Sequence, residues 1–252
     1  MADFILEACV DSVESALAAA KGGADRLELC GSLVIGGTTP NPWLFQEIRK
    51  HTDIRTHALV RPRFGDFCYT DEEFILIREA VKEFRRLGEE GVVIGILKPD
   101  GTLNMEQMKR LMEDAEGMSV TLHRAFDVCA DPYETMEQAI SLGIDTILTS
   151  GQKNICTAGA DLLKDLVEKS AGRITIQVGS GVNADVIREL QPKTGATAFH
   201  MSGKVTMDSE MEYRREGVNM GLPSLSEYEI WRTDEEAVRR ARQVLDGFCG
   251  RN

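Results

Sequence analysis

No C-x-x-C or H-x-x-x-H pair occurs in the chain, although it carries six cysteines and four histidines. That absence excludes a structural zinc module of the finger or ribbon kind. The scattered cysteines read as thiols of a reducing compartment, not as a disulfide framework. Basic residues are in deficit: 29 lysines and arginines face 41 acids, for a net charge of −12. Such a chain gains nothing from counterion release, and no basic face is visible, so nucleic acid and anionic membranes are excluded as partners. No apolar run approaches the roughly 20 residues that a bilayer crossing needs. The opening stretch "MADFILEACVDS" has no basic patch of the kind that starts a secretion signal, and the expected location is cytoplasmic.

What the chain has is an ordinary globular balance, 42% hydrophobic and 28% charged over 252 residues. That length buries a large core and fits one large α/β domain or two small ones. Apolar, β-prone runs recur at Phe4–Cys9, Arg26–Cys30, Thr56–Arg61, Val92–Leu97, Ser119–Phe126, Thr146–Ser150, Ile174–Val178 and Ala198–Ser202. Their starts are spaced by about one βα unit, and they are mostly apolar on both faces, as expected of parallel strands covered by helices. Helix signals fill the gaps. Ser12–Lys21 is alanine-rich and stops at Gly22-Gly23, Thr70 with Glu73 forms a capping box, and Asp131-Pro132 sets an N-cap before a first-turn proline. Eight such units predict a (β/α)8 TIM barrel as a single domain over 1–252. The competing doubly wound sheet wants a glycine-rich loop after its first strand, where this chain has "CVDSVES". One long irregular stretch, about 203–232, follows the last strand and is expected to be an ordered flap.

In such a barrel the chemistry gathers at the C-terminal ends of the strands. Those ends carry Glu7 and Cys9, Glu28 and Cys30, Arg61 with Arg63 and Asp66, His123 with Arg124 and Asp127, Gln177, and His200 with Ser202. Period-2 alternation turns Leu6 and Ala8 outward and Glu7 and Cys9 inward, and treats Glu28 and Cys30 in the same way. Buried charges need partners, and the two arginines next to two glutamates provide them. A structural ion-pair network remains the plainer reading of that set, and small buried hydrophobes the plainer reading of the cysteines.

Two chemistries follow. Thiolates on adjacent strands, here Cys9 and Cys30, are soft ligands that select Cu(I) or zinc over hard cations. Alternatively, the pocket is that of an enzyme for a small anionic, phosphorylated or carboxylated metabolite. Arg61 and Arg63 would clamp the anion, His123 would be the acid or base, and Glu7 or Glu28 its counterpart, with Asp127 beside them. The "GSGV" turn, with Gly179 and Gly181, and the "MSGKV" loop, with Ser202 and Lys204, would present backbone N–H groups to a phosphate. Gln177, Arg124, Asp66 and His200 complete the expected lining.

The stretches "CVDSVESA", "GADRLELC", "GGTTP", "RPRFGDFCYTDEEF", "VTLHRAFD", "LTSGQ", "GSGV" and "YRREGVNMG" together resemble the CutC family over about residues 4–245. That resemblance implies a (β/α)8 barrel, a cytoplasmic location, homodimers or larger homo-oligomers, and a part in copper homeostasis. It implies Cu(I) ligands at Cys9 and Cys30, and an enzyme-like polar mouth at Glu7, Glu28, Arg61, Asp66, His123, Arg124 and Asp127. The strand-8 loop "MSGKV" departs from the serine-rich versions expected of the family, which leaves Lys204 outside that pattern.

Overall fold

The computed structural model describes residues 4–222 and 224–249; the ends of the expected 1–252 domain and Pro223 lie outside the described residues. Eight parallel strands, β1 (Ile5–Val10), β2 (Arg26–Leu29), β3 (Arg55–Leu59), β4 (Gly91–Ile94), β5 (Ser119–Leu122), β6 (Thr146–Thr149), β7 (Thr175–Val178) and β8 (Ala198–Met201), pair in sequence order. The sheet closes through β1 and β8, with Glu7 opposite His200. Closure rules out the open doubly wound sheet. Helices α1 (Val13–Lys21), α2 (Pro42–Arg49), α3 (Asp71–Leu87), α4 (Met105–Asp114), α5 (Pro132–Leu142), α6 (Ala160–Ser170), α7 (Ala184–Thr194) and α8 (Glu235–Cys249) form the outer ring.

Local signals place these helices. The Ser12 hydroxyl accepts from the Ser15 N–H to open α1. Thr70 and Glu73 complete the reciprocal capping box of α3, and Gly88 ends that helix at a positive φ of 84° that other residues resist. Asp131 caps α5 with Pro132 in its first turn. The outward strand residues Leu6, Ala8, Leu27 and Leu29 are fully buried beneath Ala16 and Ala19 of α1 and the rest of one continuous core. Each such leucine side chain contributes roughly 1.5–3 kcal/mol by leaving water. Among the described residues no helix is long and apolar enough to cross a membrane.

Several segments differ from expectation: Thr56–Arg61 is strand only to Leu59, and Val92–Leu97 only to Ile94. The run Ser119–Phe126 is strand only to Leu122; Arg124–Val128 is a 3₁₀ turn. The segment about 203–232, expected to be irregular, holds an antiparallel hairpin of β9 (Lys204–Asp208) and β10 (Glu229–Thr233), with Lys204 opposite Thr233. The Asp234 N–H donates to the Gly203 carbonyl at 2.8 Å, so the two ends of this excursion meet at the barrel rim.

Candidate metal and ligand site at the barrel mouth

The inward faces of β1, β2, β7 and β8 bring four polar side chains into one buried network. Glu7 binds the Arg26 guanidinium through one oxygen. Its other oxygen accepts from Gln177 Nε2 at 2.9 Å and meets His200 Nδ1 at 2.7 Å. Arg26 also donates to Gln177 Oε1 at 3.3 Å. Burial alone would raise the Glu7 pKa, but Arg26 and the hydrogen bond from His200 outweigh it and hold Glu7 ionised, well below the usual carboxylate range. Arg26 was not among the expected site residues, although the alternation that turns Glu28 and Cys30 inward turns Arg26 inward too.

One step higher, Glu28 Oε2 lies 3.4 Å from the Cys30 thiol and 3.8 Å from His200 Nε2. Donor atoms of Cys9, Glu28 and His200 all fall within 4.8 Å of one another. Burial lowers the His200 pKa, yet Cys9, Glu28 and the hydrogen bonds to Cys9 and Glu7 together push it well up. Burial raises that of Glu28, an effect opposed by His200 and reinforced by Glu7. Burial and the Glu28 carboxylate push the Cys30 thiol far up. Cys9 and Cys30 pack with Leu59 and Val93, so the thiols stand at the boundary between an apolar wall and the carboxylate–imidazole cluster.

Above this floor is a cavity of about 430 Å³, reached by Cys9, Glu28, Cys30, Arg61, His123, Arg124, Gly181, His200 and Ser202 of the expected residues. Trp231, Arg232 and Lys204 of the hairpin also line it, with Lys204 Nζ 3.4 Å from the Trp231 ring centroid. The segment was expected to be an ordered flap, but its hairpin pairing was not legible, because about twenty residues separate the two strands.

Other expected residues have different tasks. Arg61 donates to the carbonyls of Gly36, Gly37 and Gly65 at 3.3, 3.1 and 2.8 Å, so most of its fork holds loops. Arg63 is turned away, bound to Glu73 at 2.6 Å and Asp66 at 3.0 Å, and stacked on Tyr69. A paired Arg61–Arg63 clamp with Asp66 therefore does not form at the mouth. The strand ends at Leu59 and the chain bends, so the alternation that placed Arg61 and Arg63 together no longer applies. Asp127 accepts from Thr149 Oγ1 at 2.5 Å, Ser150 N at 3.0 Å and Arg124 Nε at 2.7 Å; it braces the wall and does not face the cavity.

His123 is held as a neutral imidazole. Burial, aided by Arg61, pushes its pKa down to about 3. Its Nδ1 accepts from the Ala125 N–H at 3.1 Å, which leaves the ring proton on Nε2. Gln177 lies beneath the floor as a Glu7 partner. Gly179 packs against Leu148, while Ser180 and Gly181, both at positive φ, turn the chain at the rim. The N-terminus of α7 is capped by its own Asn183, at 2.9 and 3.0 Å from the Asp185 and Val186 N–H groups.

The architecture and mouth define a class: a (β/α)8 barrel with a deep polar site of thiol, carboxylate and imidazole beneath a cavity at the barrel mouth. The CutC family model matches residues 4–205, and the chain belongs to the CutC family. It is 45% identical over 250 residues to a CutC family protein of Bacteroides fragilis strain YCH46, covering 98% of each chain. It is 40% identical over 242 residues to the human copper homeostasis protein cutC homolog, covering 96% of this chain and 89% of the human one. The crystal structure of CutC from Streptococcus agalactiae superposes with a TM-score of 0.75 at 29% identity, covering 79% of this chain and 98% of that one. A thiamine phosphate pyrophosphorylase from Pyrococcus furiosus, TM-score 0.59 at 16% identity, shares the fold.

Proposed function

We propose that the protein serves copper homeostasis in the cytoplasm as a homo-oligomer, taking Cu(I) as its cargo through Cys9 and Cys30. The observation that carries this reading is the placement of both thiols in one buried cluster beside His200 and Glu28. Thiolate and imidazole are donors that favour Cu(I) over hard cations. The homo-oligomer is supported by the apolar side chains that the hairpin leaves exposed, among them Met207, Met211, Tyr213 and Met220. Competition against a chromophoric Cu(I) chelator tests the metal reading. The wild type is expected to take up one equivalent, and Cys9→Ser with Cys30→Ser none. A double variant that binds as the wild type does would end the proposal.

One observation favours a second reading, an enzyme acting on a small anionic metabolite. The cavity of about 430 Å³ is far larger than an ion needs and has the size of a small-molecule site. Its rim carries Arg124 and Lys204. Elemental analysis and small-molecule extraction from one purified sample separate the two readings: copper without an organic anion supports cargo, an organic anion without copper the enzyme.

A further inference from the structure

We propose that Cys9, Glu28 and His200 form a three-ligand site for a borderline divalent cation of the zinc class, with a fourth position open to the cavity. This goes beyond the copper reading in both ion and donor set, since Glu28 replaces Cys30 as the ligand from β2.

The donors come from β1, β2 and β8, which are neighbours in the closed sheet, with Cys9 opposite Glu28 and Glu7 opposite His200. They are already within 4.8 Å of one another, and His200 Nε2 lies 3.8 Å from Glu28 Oε2. Bonds of about 2.0–2.3 Å put tetrahedral ligands roughly 3.3–3.7 Å apart, so side-chain adjustments of about an ångström complete the set.

The support behind His200 points the same way. A metal-bound histidine usually gives its second ring nitrogen to a carboxylate, which fixes the ring and raises its basicity. Here Glu7 holds Nδ1 at 2.7 Å, and Glu7 is itself fixed by Arg26 and Gln177, leaving Nε2 to face Cys9 and Glu28. Nothing in a Cu(I)–dithiolate site calls for this second carboxylate beneath the imidazole, nor for a hard oxygen donor among the ligands. One thiolate, one imidazole and one carboxylate is a mixed set that zinc accepts. Three protein ligands with an open position are the pattern of reactive sites, whereas structural sites are closed by four. All three ligands line the cavity of about 430 Å³, so the open position faces a space of ligand size. Cys30 then acts from outside, its thiol 3.4 Å from Glu28 Oε2.

The test titrates the reduced, metal-free full chain with Co²⁺ as a coloured probe, followed by Zn²⁺. One equivalent of Co²⁺ with a sulfur-to-cobalt charge-transfer band, displaced by Zn²⁺, is expected. Glu28→Gln should weaken Co²⁺ by at least about tenfold while leaving Cu(I) affinity within about threefold, and Cys30→Ser should do the reverse. No stoichiometric Co²⁺ uptake, an unaffected Glu28→Gln, or loss of Co²⁺ binding in Cys30→Ser overturns the proposal. Loss of Cu(I) binding alone, with Co²⁺ binding intact, removes only the copper reading and leaves this one supported. Should a variant fail to fold, X-ray absorption on the zinc-loaded wild type decides: one sulfur neighbour with nitrogen and oxygen neighbours supports the site, while two sulfurs or no bound zinc overturns it.

Discussion

Buried ionisable side chains in this molecule divide into those with partners and those without, and the difference sets what each does. Glu7 has Arg26, Gln177 and His200 around it and stays charged. Glu89, where α3 gives way to β4, is 4% exposed and neither carboxylate oxygen has a hydrogen-bond partner among the described residues. Burial pushes its pKa up to about 8 from an ordinary 4.5. The folded state therefore holds a proton that the unfolded chain releases. Stability is lost as pH rises from the unfolded value toward about 8, and the loss is complete above it. Across that window the cost is on the order of a few kcal/mol. Glu89→Gln removes the proton linkage. The urea midpoints of variant and wild type should differ by a constant amount below about pH 4.5, then shift in favour of the variant up to about pH 8. Parallel midpoint curves from pH 5 to 8 would show that Glu89 is solvated in the folded protein.

At the scale of elements, β4 explains how two histidines fit inside one barrel. An added Cβ on Gly91 would sit 2.4 Å from the His57 ring, and one on Gly95 just past the strand 2.7 Å from the His123 ring. Gly95→Ala forces His123, stacked near Phe67 at 4.8 Å between ring centroids, out of its place. Overpacking of this kind costs about 1–3 kcal/mol, so Gly95→Ala is expected to lower the urea midpoint, while in a His123→Ala background the same substitution should cost little further stability. A single variant as stable as wild type would contradict the packing. The barrel itself was legible, because parallel strands buried on both faces and capped helices leave repeated local signals. So were the inward faces of β1 and β2, where alternation holds along regular strand. Arg63, Asp66 and Asp127 were misplaced because their partners, Glu73 on α3 and the 149–152 turn, are reached only after the chain leaves the strand. Trp231 was missed because β9 and β10 are short and widely separated, so neither reads as half of a hairpin.

For the whole molecule, the hairpin is the part whose removal should cost least stability and most function. Strands β9 and β10 are largely exposed, and the chain enters and leaves them at the hydrogen-bonded pair Gly203 and Asp234. Few core side chains depend on the hairpin, with Thr233 the exception: it is buried, and its N–H donates to Ser15 Oγ at 3.1 Å. Replacing 206–231 with a two-residue turn between Val205 and Arg232, which face each other across the hairpin, keeps Thr233 and leaves the eight-stranded barrel intact. The excision takes away Trp231 and with it one wall of the cavity, and it strips most of the exposed apolar side chains from that face. Several large apolar side chains exposed on one segment of an acidic protein are what a second copy would cover. The shortened protein is expected to melt cooperatively within a few degrees of the wild type, to sediment as a monomer, and to release Cu(I) to a competing chelator faster. An unchanged oligomer would place the subunit contact elsewhere on the barrel, and an unchanged release rate would mean that the hairpin does not shield the mouth.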